Sequence, residues 1–148
     1  MKRFSLWLRL AAIFQLLTGL IHGVGLFISP PPNNDTERQL FELMNSYRFD
    51  LGGGFQRTAA ELTTGLSVCF SLLCLMGALV NWYLLRKQPG KDVIAGFINI
   101  NLIVFGICFL EMVWFTFLPP IILTGLIFVF LILARLTVSG SRTQIPAD

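Results

Sequence analysis

Charged residues are scarce in this sequence. Lys, Arg, Asp and Glu make up only 13% of the 148 residues, whereas a soluble globular domain carries about 25%. Hydrophobic residues reach 55%, which is typical of a membrane protein. The shortage of charge argues against a nucleic-acid partner as well, because the few Lys and Arg residues mark the ends of apolar runs and form no basic face.

Cysteine and histidine are sparse too. Cys69, Cys74 and Cys108 lie inside apolar runs without CxxC spacing, so we interpret them as small apolar residues that pack between helices. The one histidine, His22, belongs to no HExxH or ExxH pattern. The glycine run 52–54 lacks the GK[ST] sequence of a phosphate-binding loop. We therefore predict no bound cofactor and no dedicated metal site.

Four long apolar stretches occupy most of the chain. A helix needs about 20 apolar residues to cross a bilayer, and Pro119-Pro120 interrupts the last apolar region. The sequence predicts an all-α fold, a single transmembrane four-helix domain over residues 1–148 with up-down-up-down topology. The predicted spans cover residues 10–28, 58–85, 93–118 and 121–138, and a flexible tail covers 139–148.

The segment 30–57 is the longest predicted loop. Asn34 and Glu37 have capping-box spacing, and apolar residues follow at helical intervals, which predicts an amphipathic helix from about Asp35 to Tyr47. The apolar positions are Leu40, Leu43, Met44 and Tyr47. This helix either rests in the membrane interface or closes over the mouth of the bundle. The glycine run 52–54 predicts a sharp turn or hinge after it.

The distribution of positive charge predicts the orientation. Of the 11 Lys and Arg residues, eight lie near the two termini or in the turn 86–91, and three lie in the segment 30–57. Because positively charged loops stay in the cytoplasm, we predict cytoplasmic termini in the inner membrane of a bacterial cell. The segment 30–57 is then an external loop.

Three titratable residues from different spans are predicted at similar depths. His22, Glu61 and Glu111 lie about 9, 5 and 10 Å from the outer ends of their spans at about 1.5 Å per residue, and Arg57 and Trp114 lie near the same level. Charged side chains within a membrane face the bundle interior and pair with one another. We therefore predict that these five residues line one outer-facing polar pocket.

Several functions are compatible with such a pocket. It is either a structural network, a site for a lipid-like or small amphipathic ligand or a membrane partner protein, an intramembrane acid/base enzyme of the isomerase type, or a proton or metal-ion site. We prefer a binding or accessory protein in the lipid bilayer. A second polar set, Gln15, Asn99 and Asn101, is predicted to join helices by hydrogen bonds.

A short series of residues in the first half of the chain carries a family resemblance. The series consists of Gly19-Leu20-Ile21-His22, Met44, Phe49, Gly52-Gly53, Arg57-Thr58, Glu61 and Gly65. It resembles a family of small bacterial four-helix integral membrane proteins, and the span count is similar to DoxX-like proteins. The resemblance implies the four-helix architecture, and it implies no particular reaction.

Overall fold

The computed structural model describes residues 3–28 and 31–139. In this part of the chain it contains five helices and one two-stranded hairpin. The helices are α1 (Arg3–Gly25), α2 (Asp35–Ser46), α3 (Ala59–Lys87), α4 (Lys91–Phe115) and α5 (Leu118–Ser139), and the strands are β1 (Arg48–Asp50) and β2 (Gln56–Thr58). Helices α1, α3, α4 and α5 are long and apolar enough to cross a membrane. The predicted all-α, four-span bundle is confirmed.

The helices extend beyond some of the predicted spans. Helix α1 runs from Arg3 to Gly25, so it begins seven residues before the predicted span 10–28, because residues 4–8 are mostly apolar as well, and it ends three residues before the predicted limit. Helix α3 has 29 residues, so it is about 43 Å long, whereas the hydrocarbon core of a bilayer is about 30 Å thick. Unless α3 is strongly tilted, several of its residues therefore lie outside the hydrocarbon. The predicted tail, apart from Ser139 at the end of α5, lies outside the described residues.

The connection between α4 and α5 differs from the prediction. Helix α4 ends at Phe115 with Thr116 as its C-cap, which is earlier than the predicted limit at residue 118. Helix α5 begins at Leu118 and includes Pro119 and Pro120 in its first turn. Proline is tolerated there because the first N–H groups of a helix have no partner within the helix. The two prolines therefore lie in the first turn of α5, and residues 116–117 form the connection between α4 and α5.

Two compact units make up the chain. The first, here called the bundle unit, contains the described residues 3–18 and 74–139, and the second, the loop unit, contains the described residues 19–28 and 31–73. The bundle unit includes parts of all four long helices. The loop unit includes the end of α1, helix α2, the hairpin and the first half of α3.

The core of the bundle unit is built from one buried seam on each long helix. The seam residues are Leu8, Ala11 and Gln15 of α1, Cys74, Ala78 and Asn81 of α3, Ile94, Ile98, Asn101, Phe105 and Cys108 of α4, and Thr124, Ile127, Leu131, Ala134 and Val138 of α5. Their alternating intervals of three and four residues form the heptad pattern of helices that pack at small crossing angles. The remaining faces are exposed and largely aliphatic, as lipid-facing surfaces are.

Aromatic rings connect α5 to two neighbouring helices in the bundle unit. Trp7 and Phe14 of α1 both contact Phe130 of α5, with ring centroids 6.1 and 5.4 Å away. Phe109 of α4 stacks on Phe128 at 6.1 Å. Offset and tilted pairs at these distances are favourable for aromatic rings. Helix α5 therefore packs against both α1 and α4.

The helix predicted within the segment 30–57 is confirmed. Asn34 is the N-cap of α2, and its Oδ1 accepts a hydrogen bond from the backbone N–H of Glu37 at 2.8 Å. The Glu37 carboxylate accepts in return from the backbone N–H of Asn33 at 2.7 Å. This satisfies N–H groups that the first helical turn leaves without partners. The helix ends at Ser46, with Tyr47 as its C-cap.

A short antiparallel hairpin follows α2. Phe49 of β1 lies opposite Arg57 of β2 in its register. The predicted sharp turn is confirmed, since Gly52, Gly53 and Gly54 have φ values of 81°, 61° and 82°, a left-handed conformation that favours glycine. The strands themselves were not predicted, because three residues are too few to show an alternating pattern.

Candidate functional site

The best-defined polar site is a cluster of three amide side chains from α1, α3 and α4, here called the amide cluster. Asn81 Nδ2 donates to Gln15 Oε1 at 2.9 Å, and Gln15 Nε2 donates to Asn101 Oδ1 at 3.3 Å. The Nδ2 of Asn101 also donates to the backbone carbonyl of Phe97 at 3.0 Å. Gln15 and Asn81 are 0% exposed and Asn101 is 7% exposed. The cluster therefore connects three helices inside the core of the bundle unit.

Gly77 makes room for the amide cluster. A Cβ atom added at this glycine would lie 2.7 Å from Gln15 Nε2 and 2.9 Å from a ring carbon of Phe105. Both distances are shorter than normal van der Waals contacts. The absence of a side chain at Gly77 allows α1 and α4 to approach α3 closely, as small residues commonly do in membrane helix packing.

One acceptor of the amide cluster lacks a partner. Among the described residues, the buried Oδ1 of Asn81 receives no hydrogen bond, which is costly in an apolar interior. Gln15 and Asn101 were predicted to join helices, whereas Asn81 was not, although it is the only amide side chain in α3. Neutral amides donate and accept hydrogen bonds without acting as acids, bases or nucleophiles. The chemistry of the amide cluster is therefore that of helix association.

Asn99 belongs to a different contact. Its Oδ1 accepts a hydrogen bond from Arg135 Nε at 2.7 Å, which joins α4 to α5. Asn99 is exposed, whereas Asn101 is buried, because residues two positions apart point to different sides of a helix. The predicted set of Gln15, Asn99 and Asn101 thus divides into a buried cluster and a separate charge-assisted hydrogen bond.

His22 packs against an aromatic ring in the loop unit. Its imidazole meets Phe70 edge to face, with ring centroids 5.0 Å apart. One residue further along each helix, a Cβ added at Gly23 would lie 3.7 Å from Ser71 Oγ. The end of α1 is therefore in contact with α3 at the level of residues 70 and 71.

Glu61 caps the start of α3. Its Oε2 accepts a hydrogen bond from the backbone N–H of Thr58 at 2.8 Å, and Thr58 Oγ1 accepts from the backbone N–H of Glu61 at 3.2 Å. This reciprocal arrangement is a capping box, and the spacing Thr58-x-x-Glu61 was its signal in the sequence. Arg57 Nη1 donates to the backbone carbonyl of Gln56 at 3.0 Å. Within residues 3–28 and 31–139, no ion pair joins Arg57 to Glu61.

His22 and Glu61 lie at different levels along α3. His22 contacts this helix at Phe70, whereas Glu61 belongs to its first turn. Phe70, the partner of His22, follows Glu61 by nine residues on the same helix. At about 1.5 Å per residue, the two levels are about 13 Å apart along the helix axis. This distance is therefore too long for a direct hydrogen bond between the side chains of His22 and Glu61. The depths assigned from span limits alone placed these residues closer together.

Glu111 and Trp114 lie near the end of α4 in the bundle unit. Both are exposed, and Trp114 is 82% exposed. An exposed tryptophan near the end of a membrane helix fits the interface between hydrocarbon and water. Glu111 lies off the buried seam that passes through Phe105 and Cys108. Because His22, Arg57 and Glu61 belong to the loop unit, the common pocket of all five residues stays a prediction.

Metal ligation was one of the alternatives for the titratable residues. Across the described ranges, no group of three or more His, Cys, Asp or Glu residues could hold a metal ion. A metal ion needs several such ligands at short and matched distances. The metal-ion alternative thus gains no support from the geometry of these side chains.

The fold and the buried amide cluster define a multi-pass membrane protein of the four-helix class. Comparison with known proteins found no match: no family model, no curated protein and no solved structure is similar to this chain. The resemblance to small bacterial four-helix membrane proteins with a DoxX-like span count therefore stays a prediction.

Proposed function

We propose that this protein binds a lipid-like or small amphipathic ligand on the loop unit. Binding, and not catalysis, is the proposed activity. The proposal includes insertion in a bacterial inner membrane with cytoplasmic termini, which the concentration of Lys and Arg at one side supports. The segment 30–57 of the loop unit then faces the outside of that membrane.

The observation that carries the proposal is the exposure of the first turns of α3. Every residue from Glu61 to Leu66 is exposed. Six consecutive residues make more than one and a half turns, so all sides of the helix are open over this length. Such a stretch offers a surface that an external molecule can cover.

The chemistry of this stretch favours an amphipathic ligand. Glu61, Thr63 and Thr64 provide carboxylate and hydroxyl groups, whereas Leu62 and Leu66 provide exposed apolar surface. Since α3 is longer than the hydrocarbon core, its first turns fit the headgroup layer, where polar and apolar groups meet. A ligand with a polar head and an apolar body matches both kinds of side chain.

Helix α2 supports the same conclusion. Leu40 and Leu43, on its apolar side, are 52% and 60% exposed, and every residue of α2 is at least partly exposed. Glu42 lies on the opposite, polar side. Of the two predicted placements, this exposure favours a helix that lies in the membrane interface over one that closes the bundle as a lid.

The predicted pocket residues enter the proposal in two groups. His22, Arg57 and Glu61 are the polar groups that the loop unit supplies. Glu111 and Trp114 are the predicted contribution of α4. The intramembrane acid/base enzyme and the proton or metal-ion site remain alternatives that no specific contact among the described residues favours.

Photochemical labelling of the reconstituted full-length chain tests the proposal. The probe is a phospholipid analogue with a diazirine in its headgroup, and peptide mass spectrometry locates the adducts. We expect saturable labelling of residues 61–66 that unlabelled analogue removes by competition. The exposed turn at 115–118 serves as the reference, and it should be labelled without saturation because bulk lipid covers it.

A pair of variants separates a specific site from general lipid contact. Replacing Thr63 and Thr64 together with Val keeps their size and removes the hydroxyl groups, so saturable labelling should fall severalfold. Thr116→Val, the same change at an exposed threonine of the reference turn, is the matched control and should leave it unchanged. Non-saturable labelling at residues 61–66 would contradict a ligand site, and a covalent adduct to another protein would indicate a membrane partner instead.

A further inference from the structure

A groove of about 620 Å³ lies between α3 and α4 in the bundle unit. It is separate from the surface formed by residues 61–66. Its wall consists of Leu79, Val80, Tyr83, Leu84, Lys87, Pro89, Val93 and Phe97. The volume is within the range of about 300–1,000 Å³ that small-molecule sites occupy.

The groove runs along the two helices and opens sideways. Leu79, Tyr83 and Lys87 follow one another at intervals of four residues on α3, and Val93 and Phe97 do the same on α4. Leu79 and Tyr83 are more than half exposed. Because α3 and α4 are both long and apolar enough to cross a membrane, we infer that the open side of the groove faces lipid. An acyl chain is the molecule that this environment supplies.

Positive charge is concentrated at one end of the groove. Lys87 forms part of the wall. Arg86 precedes it in α3, Lys91 begins α4 after the short turn 88–90, and Asp92 is the nearest acidic residue in the sequence. The carboxyl end of α3 contributes a partial negative charge at the same turn. Arg86 and Lys87 carry two positive charges, which exceed the negative charge of Asp92 and that partial charge together, so this end attracts an anion.

We propose that this groove binds one anionic phospholipid. The acyl chain lies along Leu79, Val80 and Phe97, and the phosphate lies next to Lys87 with Arg86 and Lys91 close by. Basic sites between membrane helices at the bilayer surface are a known way to bind acidic headgroups. A free phosphate would gain only the charge contacts, whereas a phospholipid also fills the apolar length of the groove.

Native mass spectrometry of the full-length protein released from nanodiscs tests the proposal. The nanodiscs contain equal amounts of phosphatidylglycerol and phosphatidylcholine with the same acyl chains. We expect one retained phosphatidylglycerol per chain, in clear excess over phosphatidylcholine. Lys87→Gln should lower the apparent affinity for phosphatidylglycerol about fivefold, the effect of one basic residue near an acidic headgroup.

Arg9→Gln is the matched control for charge. Arg9 is an exposed cation on α1 and is not part of the groove wall, so its loss should leave retention unchanged. Equal losses in the Arg9 and Lys87 variants would overturn the site, because general electrostatic attraction would then explain them. Equal retention of the two lipids by the unmodified protein would overturn it as well.

Two further experiments test whether the bound anion is a phospholipid and whether its acyl chain lies in the groove. Val93→Trp fills the groove and should abolish retention of the lipid while circular dichroism still shows a helical protein. Inorganic phosphate at millimolar concentration should not displace the lipid. Displacement by phosphate, or full retention by a helical Val93→Trp variant, would show that the apolar groove does not hold the acyl chain.

Discussion

Polar side chains have opposite roles in the two units of this protein. In the bundle unit, Gln15, Asn81 and Asn101 are buried and bond to one another across three helices. In the loop unit, Asn34 and Glu61 bond to nearby backbone N–H groups at helix ends. The first kind of contact fixes tertiary structure, and the second kind fixes only where a helix begins.

This difference follows from the surroundings of each unit. An apolar interior contains no water, so a buried amide needs another side chain or a backbone group as its partner. Loop residues near the membrane surface reach water, and their side chains only need to satisfy the free N–H groups of a first helical turn. We therefore expect substitutions in the bundle unit to affect the whole fold, and those in the loop unit to act locally.

The largest expected effect concerns the sides of the membrane on which two short segments lie. Cysteine introduced at Asn34, in the loop unit, should react completely with an impermeant thiol reagent added outside intact cells. Cysteine introduced at Gln88, in the α3–α4 turn, should react only after permeabilisation. Each variant is made in a background without Cys69, Cys74 and Cys108. The reverse pattern would contradict the proposed orientation and the external position of the segment 30–57.

Two helix glycines give the sharpest stability comparison. Gly77→Ala should lower the free energy of unfolding by about 1–3 kcal/mol through overpacking, since its Cβ would meet Gln15 and Phe105 at 2.7 and 2.9 Å. Gly65→Ala should raise it by up to about 1 kcal/mol, because alanine is the better helix former and a Cβ there meets no described atom within 4 Å. Reversible unfolding in mixed detergent measures both. Equal effects would show that the two units do not differ in packing.

The four spans could be predicted because length and hydropathy decide them, and the α2 cap because Asn34 and Glu37 have a specific spacing. The inward faces of the spans were harder to predict, because lipid and protein core are both apolar and Leu or Ile fits either environment. Polar residues were the ones that indicated which side of a span faces another helix. Gln15 and Asn101 were predicted to join helices and do so, and the same reasoning applied to Asn81 would have completed the amide cluster.

The candidate pocket shows why depth counted from span limits is a weak guide. Helix α3 is longer than the bilayer core, so its ends do not mark the membrane boundary by themselves, and Glu61 lies nine residues before Phe70, the ring that His22 contacts. The capping box of Thr58 and Glu61 was visible in the sequence, but the carboxylate was interpreted as an intramembrane charge. A local backbone partner satisfies it instead.

The next largest expected effect comes from the centre of the amide cluster. Gln15→Leu nearly preserves the side-chain volume and removes both hydrogen bonds that Gln15 makes, so the free energy of unfolding should fall by about 1–2 kcal/mol. A double-mutant cycle with Asn81→Leu should show a coupling of about 0.6–1.7 kcal/mol, the range found for side-chain pairs in membrane helices. Additive effects of the two substitutions would show that the bond between Gln15 and Asn81 contributes nothing to stability.

The smallest expected effect distinguishes two roles of Glu61, as a helix cap and as a contact to the proposed ligand. Glu61→Gln keeps a side-chain acceptor for the N–H of Thr58, because both Glu and Gln form capping boxes. Its effect on stability should stay within a few tenths of a kcal/mol, the loss of a charge near the helix N-terminus. Glu61→Ala removes the acceptor as well, and the first turn of α3 should lose about 1 kcal/mol.

Hydrogen exchange of the amides at the start of α3 measures this local effect, and exchange in the seam of α4 provides an internal reference that should not change. If Glu61 acts only as a cap, Glu61→Gln will leave the saturable labelling of residues 61–66 intact. If its charge also contacts the proposed ligand, Glu61→Gln will reduce that labelling although the helix start stays protected. Faster exchange in α4 after either substitution would contradict the local role, since it would mean that a residue of the loop unit stabilises the bundle unit.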